Sequence, residues 1–441
     1  MKKVLVVGGG AREHAIIDAL ARGPNPPEQI FAAPGNPGIA KLATCLSYNT
    51  EDISQLTSWA NKERPDLTIV GPEVPLALGI VDQFNAAGLP IFGPTRAAAR
   101  LEWSKAFACG MLSLIGDANF VPDGHIYFTA QDAMMGLTID WDVVWEHGGV
   151  VVKADGLAAG KGVIIAPTKK EAEAAIKHIM IDQAFGEAGD VILIQEFVAG
   201  RELSAFILTD GVNVRWFGEA QDFKRLRNGD QGPNTGGMGA IAPVPWVTDN
   251  LRGEILESIA RPLVRAMANE GRPYQGVLFL GLMIEPNGHP VVLEVNCRFG
   301  DPETQVLLER FDGDLLELLA ATTNGRLADV PEPRFRIGQC AVCVTLAANG
   351  YPQNVCTGEP IFGIDKANFM EGVRVYHGGT SQRNPDSAMI VSGGRALSVV
   401  ATGATFEQAR GRVYPAIATI TFQGMQFRTD IGAEYIVIPN R

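Results

Sequence analysis

Lys153-Ala154-Asp155-Gly156-Leu157-Ala158-Ala159-Gly160-Lys161-Gly162-Val163 is the stretch on which the fold turns. It invites comparison with a phosphate loop, whose pattern G-x-x-x-x-G-K-[ST] opens a helix. Here Gly156 and Gly160 stand one residue too close, and Gly162 occupies the Ser/Thr place. The continuation Val163-Ile164-Ile165 is β-branched, so the chain returns as a strand. The segment therefore reads as a glycine-rich β-hairpin flap, with Lys153 on its strand and Lys161 at its tip. Such a flap can fold over a triphosphate, offering backbone N–H groups and ammonium charge. An ordinary flexible hairpin would have little use for two lysines among these glycines.

Outward from the flap, Val150–Lys153 and Val163–Ala166 are its strands, and Thr168 with Glu171 three residues later predicts a capped helix. Val191–Phe197, Ser204–Thr209 and Val214–Ala220 suggest antiparallel pairs. Val277–Glu285 and Pro290–Asn296 are joined through Pro286-Asn287-Gly288-His289, a hairpin signal. The first hundred residues have another rhythm. Val4–Val7, Ile30–Ala33, Leu67–Val70 and Pro90–Phe92 are short apolar strands ending in Gly/Pro turns, and Arg12–Ala21 is a helix stopped by Gly23-Pro24. Strand–helix alternation predicts a parallel sheet with ligands at the carboxyl ends of its strands. Pro331 and Pro333 mark a linker into a smaller strand-rich module. The expected organisation is α/β multidomain: 1–108 an N-terminal α/β domain, 109–330 a central domain with its flap at about 120–195, and 331–441 a C-terminal α+β domain.

With 37 basic and 49 acidic side chains the chain carries a formal charge of −12, which disfavours a general nucleic-acid binder. A hydrophobic content of 46% excludes intrinsic disorder. No apolar run approaches the roughly 20 residues of a membrane span, and Met1-Lys2-Lys3 leads into too short an apolar stretch for a signal peptide. The six cysteines are too sparse for a disulfide scaffold; Cys340 and Cys343 lie in the apolar run Gln339–Ala347 and read as core thiols of a buried strand. A reducing, cytoplasmic setting is expected.

Three further motifs could carry chemistry. In Glu294-Val295-Asn296-Cys297-Arg298-Phe299-Gly300-Asp301-Pro302-Glu303-Thr304-Gln305, strand alternation puts Glu294 and Asn296 on one side, with Leu293 and Val295 toward the core. Two hard oxygen ligands on one face suit Mg²⁺, or Mn²⁺, held between protein and phosphate oxygens. Arg298 continues that face as a carboxylate or phosphate anchor. The segment from Gln221-Asp222-Phe223-Lys224-Arg225 to Asn234-Thr235-Gly236-Gly237-Met238-Gly239 concentrates positive charge and permits close backbone approach to a ligand. Gly8-Gly9-Gly10-Ala11-Arg12-Glu13 fails as a dinucleotide fingerprint because Glu13 takes the third glycine place; a phosphate at the helix N-terminus beside Arg12 stays open.

Together these motifs resemble the phosphoribosylamine–glycine ligase family, the ATP-grasp enzymes also called glycinamide ribonucleotide synthetases. The resemblance is close to full length, and its longest blocks are Lys153–Val163, the run from Gly232 to Gly239, and Glu294–Gln305. It implies a parallel-sheet, biotin-carboxylase-N-like N-terminal domain, an ATP-grasp fold enclosing the nucleotide, and a small C-terminal domain completing the site. It implies ATP-dependent ligation of glycine to 5-phosphoribosylamine through a glycyl phosphate, in a monomer or weak homodimer. By the same carry-over Glu294 and Asn296 take the metal. Lys105, Lys153, Gly160, Lys161 and Gly162 hold ATP phosphates, with Glu196, Phe197 and Val198 near adenine and Glu202 near ribose. Gly10, Arg12, Gly71, Pro72 and Glu73 lie near phosphoribosylamine. Asn234, Thr235, Gly236, Gly237, Met238 and Asp301 belong to the substrate side, and Asp222, Lys224 and Arg298 line the amino-acid end. The chain departs from the family pattern at Ala11, at Phe223 where a histidine is usual, at Trp103 where a small residue is usual, and through 114–147. These departures leave room for another carboxylate–amine ligase with a different amine, or for a nucleotide-binding protein without turnover.

Overall fold

The computed structural model describes residues 1–115, 120–139, 144–158, 161–384 and 386–436. The N-terminal alternation folds as a five-stranded parallel sheet in the order Thr44–Cys45, Gln29–Pro34, Lys3–Gly8, Leu67–Val70, Ile91–Phe92. Its centre is apolar on both faces, with Val4 to Val7 fully buried, as a parallel sheet covered by helices requires. The helix Ala11–Arg22 leaves the central strand and packs Ile16, Ile17 and Leu20 inward. Gly10 offers no side chain to cap it; instead Glu13 reaches back, its Oε2 accepting from the Gly10 N–H at 2.6 Å.

A four-stranded antiparallel sheet carries the flap, in the order Gly124–Tyr127, Ile192–Glu196, Val150–Ala154, Val163–Ala166. Its core is its own, built from Val150, Val152, Ile192 and Ile194 against Ala172, Ile176 and Leu137. The Thr168–Glu171 capping box opens the helix Lys169–Ile176, a contribution of about 1 kcal/mol. The strand Ile192–Glu196 thus joins the flap rather than pairing with Arg201–Thr209, which hydrogen-bonds Val214–Asp222 and Gly276–Ile284. The chain breaks at Gly200, where an added Cβ would stand 2.3 Å from the Ile284 carbonyl oxygen, so it changes sheet there.

The largest sheet is antiparallel and eight-stranded: Pro290–Asn296, Gly276–Ile284, Arg201–Thr209, Val214–Asp222, Gly239–Ala242, Cys340–Ala347, Arg395–Gly403, Val373–His377. It runs without a break from the central region into the C-terminal one, because Gly239–Ala242 pairs with Cys340–Ala347. The buried apolar strand read from Gln339–Ala347 needs partners on both edges and finds one on either side of the proline-marked segment. That segment is itself packed: Phe335 meets Phe217 and Phe311 at 5.7 and 5.9 Å between ring centres. Among the described residues no helix is long and apolar enough to cross a membrane.

Candidate active site

The three sheets face one cleft of about 1040 Å³. The N-terminal sheet contributes the turn at 8–10, Arg12, Pro72 and Glu73 from the carboxyl ends of its strands. The flap contributes Lys153 and Gly162, the large sheet Asp222, Glu294 and Asn296, and the turn after Asp222 contributes Lys224. Lys105, Asn234, Thr235, Gly236, Arg298 and Asp301 also line it, so the structure brings most of the sequence-derived candidates together across more than 280 positions of chain.

Glu294 and Lys224 form the electrostatic centre. Lys224 Nζ stands 3.5 Å from Glu294 Oε1 and 3.7 Å from Glu202 Oε2. Lys224 holds the Glu294 carboxyl down at about 2, against burial and with help from Lys153. In return Glu202 and Glu294 raise Lys224. Lys153 is buried, with Nζ donating to the Leu293 carbonyl at 2.9 Å. Burial lowers its pKa to about 8. That carbonyl is available because the pairing between Gly276–Ile284 and Pro290–Asn296 slips at Gly281/Leu282. Leu293 is the extra residue, half-buried and lining the cleft, rather than facing the core as strict alternation predicts.

Lys105 opens the helix Lys105–Leu112, and its Nζ donates to the carbonyls of Asp155 and Gly156 at 3.4 and 3.2 Å. Asp155 answers by accepting from the Ala106 N–H at 2.7 Å and the Ser104 hydroxyl at 3.0 Å. One residue of the flap turn thus anchors it to the first turn of a helix. Arg12 lies between Glu13 Oε1 at 2.6 Å and the Phe299 carbonyl at 3.0 Å. Glu13 fills the space under two turns: a Cβ at Gly71 would stand 2.1 Å from its Oε1, so Gly71 supports the site from behind. The C-terminal region reaches in through Arg395, whose Nη1 donates to the Gly236 and Asp301 carbonyls and whose Nη2 stands 3.3 Å from Asp301 Oδ2.

Not every candidate lines the cleft. Met238 is fully buried, with its N–H bonded to the Phe223 carbonyl and its carbonyl to Thr345 N–H, so it serves the sheet. Gly237 sits behind Asp222 and Pro302, 2.7 and 2.5 Å from a Cβ placed there. At the expected adenine end Leu193 and Gln195 line the cleft. Glu196 Oε1 accepts instead from the Asp123 N–H, Phe197 N–H is bonded to the Gly149 carbonyl, and Val198 is buried. Lys161 is exposed at the hairpin tip; Gly160 and the Asp140-Trp141-Asp142 stretch lie outside the described residues. Phe223 points away: between Asp222 and Lys224 it packs into the C-terminal core, with the Arg428 guanidinium 5.1 Å from its ring centre.

Sequence reasoning missed Glu102, Asn36, Glu303 and the role of Arg395. Asn36 Nδ2 donates to the carbonyls of Gly9 and His377 at 2.9 and 2.7 Å, while its Oδ1 accepts from Gly38 and Ile39. Only the last pair, an Asx-type turn before Pro37-Gly38, leaves a local signal.

The metal expectation can be tested on the donor set. Asn296 Oδ1 accepts from Arg298 Nη2 at 3.2 Å, and its Nδ2 is buried without a partner. Among the described residues no group of three or more His, Cys, Asp or Glu side chains could enclose a cation. One carboxylate and one amide lining a roomy cleft fit a hard cation completed by phosphate oxygens and water. Asp222 also keeps a buried oxygen, Oδ1, without a partner, and burial together with Glu303 pushes its carboxyl well above the usual range.

A glycine-rich flap sheet and a larger antiparallel sheet closing on a lysine-lined cleft, beside a parallel N-terminal sheet, define an ATP-grasp ligase. The biotin carboxylase domain of Hydrogenobacter thermophilus 2-oxoglutarate carboxylase shares this fold, with a TM-score of 0.70 over 97% of this chain and 91% of that one at 16% identity. The chain belongs to the phosphoribosylglycinamide synthetase family: it matches the N domain at residues 2–102, the ATP-grasp (A) domain at 140–304 and the C domain at 341–434. It is 45% identical to the phosphoribosylamine–glycine ligase of Vibrio parahaemolyticus over 98% of this chain and 97% of that one. The phosphoribosylamine–glycine ligase structure from Thermotoga maritima superposes with a TM-score of 0.81 at 30% identity, covering 97% of this chain and 99% of the other.

Proposed function

We propose that this protein ligates glycine to 5-phosphoribosylamine with ATP, giving glycinamide ribonucleotide, ADP and phosphate in purine biosynthesis. The observation that carries the reading is the shared cleft, in which Lys105, Lys153 and Lys224 all act on the Glu294 carboxyl and which Arg12 and Glu73 also line. Glycine's carboxylate is a poor acylating group because its leaving oxygen is too basic. Attack on the γ-phosphorus of ATP gives an acyl phosphate, and the phosphoribosylamine nitrogen then displaces phosphate from that carbonyl. Two anions must meet, so fixed positive charge matters more than an acid–base residue.

Lys105 and Lys153 would hold the triphosphate, with Lys161 and Gly162 of the flap above it and Leu193 and Gln195, with Glu202, toward the nucleoside. Glu294 and Asn296 would hold Mg²⁺ or Mn²⁺, whose charge offsets that of the phosphate oxygens. Lys224 and Arg298 would orient the glycine carboxylate beside Asp222. Gly10, Arg12, Pro72 and Glu73 would receive phosphoribosylamine, with Gly71 supporting their turn from behind, and Asn234, Thr235, Gly236 and Asp301 would close the substrate side, backed by Gly237. Flap closure would keep water from the acyl phosphate. The same reading takes the domains as 1–108, 109–330 and 331–441, in a cytoplasmic monomer or weak homodimer. Phe223 faces the C-terminal core, so that departure gives no support to a different amine acceptor.

The test is ADP release by the purified protein with ATP and magnesium. Release that requires both glycine and phosphoribosylamine is expected; release with glycine and another amine, but not this one, would replace the substrate assignment.

A further inference from the structure

Glu102 is a buried carboxylate that the mechanism above does not use. It lies on the helix Arg96–Trp103, beside the N-terminal sheet, and its side chain is 7% exposed. Its Oε2 accepts from the Cys297 N–H at 2.7 Å and its Oε1 stands 3.0 Å from Arg298 Nη2. The same helix takes a second hold, with Cys297 Sγ donating to the Ala99 carbonyl at 3.6 Å. The strand Pro290–Asn296 has ended one residue earlier, so no sheet ladder fixes the Cys297 peptide or aims Arg298.

Arg298 is shared among several acceptors. Its Nε is 3.4 Å from Glu73 Oε2, its Nη2 donates to Asn296 Oδ1 at 3.2 Å, and its Nη1 donates to the Phe299 carbonyl at 3.4 Å. A guanidinium has rigid, planar donors, so what it can offer a substrate depends on which acceptors hold it. Glu102 and Asn296 share Nη2 while Glu73 faces Nε, so these acceptors together fix the plane of the guanidinium. A buried ion pair adds little net stability, because desolvation offsets its attraction; its better-attested use is to specify geometry.

We infer that Glu102 is a positioning residue, which sets the orientation of Arg298 and the Cys297 peptide so that Arg298 bridges Asn296 and Glu73. The inference rests on the proposed role of Arg298 at the amino-acid end. It assigns Glu102 no contact with substrate.

The experiment compares full-length wild type, E102Q, R298K and the double variant E102Q/R298K by steady-state ADP release. Glutamine keeps the size and an acceptor for the Cys297 N–H but turns an amide toward Arg298 without its charge. E102Q should lower kcat by about 10- to 10²-fold, the scale of a small misplacement in an oriented site. It should raise the KM for glycine or phosphoribosylamine while the KM for ATP stays within about twofold. Because Glu102 acts through Arg298, the double variant should be no slower than R298K alone. E102D keeps the charge on a shorter stem and should lose less than E102Q; if E102Q does not fold, an E102D with lowered kcat and unchanged ATP KM supports the inference. Losses that multiply in the double variant, a silent E102Q, or equal rises in all three KM values with a lowered Tm would overturn it. A wild type without glycine- and phosphoribosylamine-dependent ADP release would overturn the functional reading instead, whatever the variants do.

Discussion

The flap and the junction of the N- and C-terminal regions wall the same cleft by opposite means. The flap sheet buries its apolar side chains against its own helices, and it meets the rest of the site through polar contacts such as Lys153 to the Leu293 carbonyl and Asp155 to Ser104 and Ala106. The junction is interlocked. His377 N–H donates to His14 Nδ1 at 2.9 Å, Asn36 bonds the carbonyls of both Gly9 and His377, and the Tyr376 hydroxyl donates to Glu309 at 2.5 Å and lies 3.1 Å from Asp18. A structural unit with its own core and few external ties can shift as a body, whereas a junction of buried, mutually satisfied polar groups has one good arrangement. The fixed wall then holds the loops assigned to phosphoribosylamine, and the wall with fewer ties holds a lysine assigned to ATP.

The sharpest way to break this division is Glu294→Gln, on the strand between the two walls. Removing its charge should reduce kcat by about 10²- to 10³-fold, the scale of losing one preorganised electrostatic group. The circular dichroism spectrum should stay that of wild type while Tm falls modestly, because the fold holds this carboxyl down at about 2 and its cations lose their partner; an unchanged kcat would remove Glu294 from the catalytic machinery. On the flap, Lys153 supplies a pH test. With its pKa lowered to about 8, it is charged below that pH and neutral above it. The kcat/KM for ATP, which reports the free enzyme, should therefore fall as pH rises through about 8. Lys153→Arg keeps its charge at those pH values, so its alkaline limb should move upward. A limb that stays in place in this variant would assign the titration to another group.

The junction should show itself in stability rather than rate. Burial lowers both His14 and His377 from 6.5 to about 3, with Lys41 adding to it at His14 and His14 and Lys41 at His377. The unfolded chain thus takes up protons first as pH falls. Stability is full above about pH 6.5 and is lost between there and about 3, by up to about 1.4 kcal/mol per pH unit for each histidine. His14→Gln retains an acceptor but cannot titrate, so denaturant titrations from pH 7 to 4 should show a shallower acid slope; an identical slope would mean these histidines do not govern it. The smallest effect on activity belongs to Phe223→His. It should leave the three KM values within about twofold, since the side chain faces the C-terminal core, while costing about 1–3 kcal/mol of stability for a polar group placed there. A substantial change in the glycine KM would bring position 223 back into the cleft.

Local pattern was enough for the elements. The hairpin at 286–289, the capped helix after Thr168 and the alternating N-terminal strands follow from turn chemistry and side-chain periodicity, which act within a few residues. Glu294 and Asn296 could be paired on paper because strand geometry fixes i and i+2. The displaced Leu293 could not, since a bulge reflects the register of a partner strand.

What the sequence by itself determined is therefore the kind of chemistry: which lysines, carboxylates and glycine-rich turns the chain possesses, and that they lie on hairpins and strand ends. Only the tertiary structure decided which of them meet. Met238 was drawn into the sheet and Phe223 into the far core, while Asn36, Glu102 and Arg395 entered the site's framework from distant segments. Short-range sterics and hydrogen bonding write themselves into neighbouring residues. A buried carboxylate that meets its arginine 196 positions away leaves no such trace, because its partner is chosen by the packing of whole sheets.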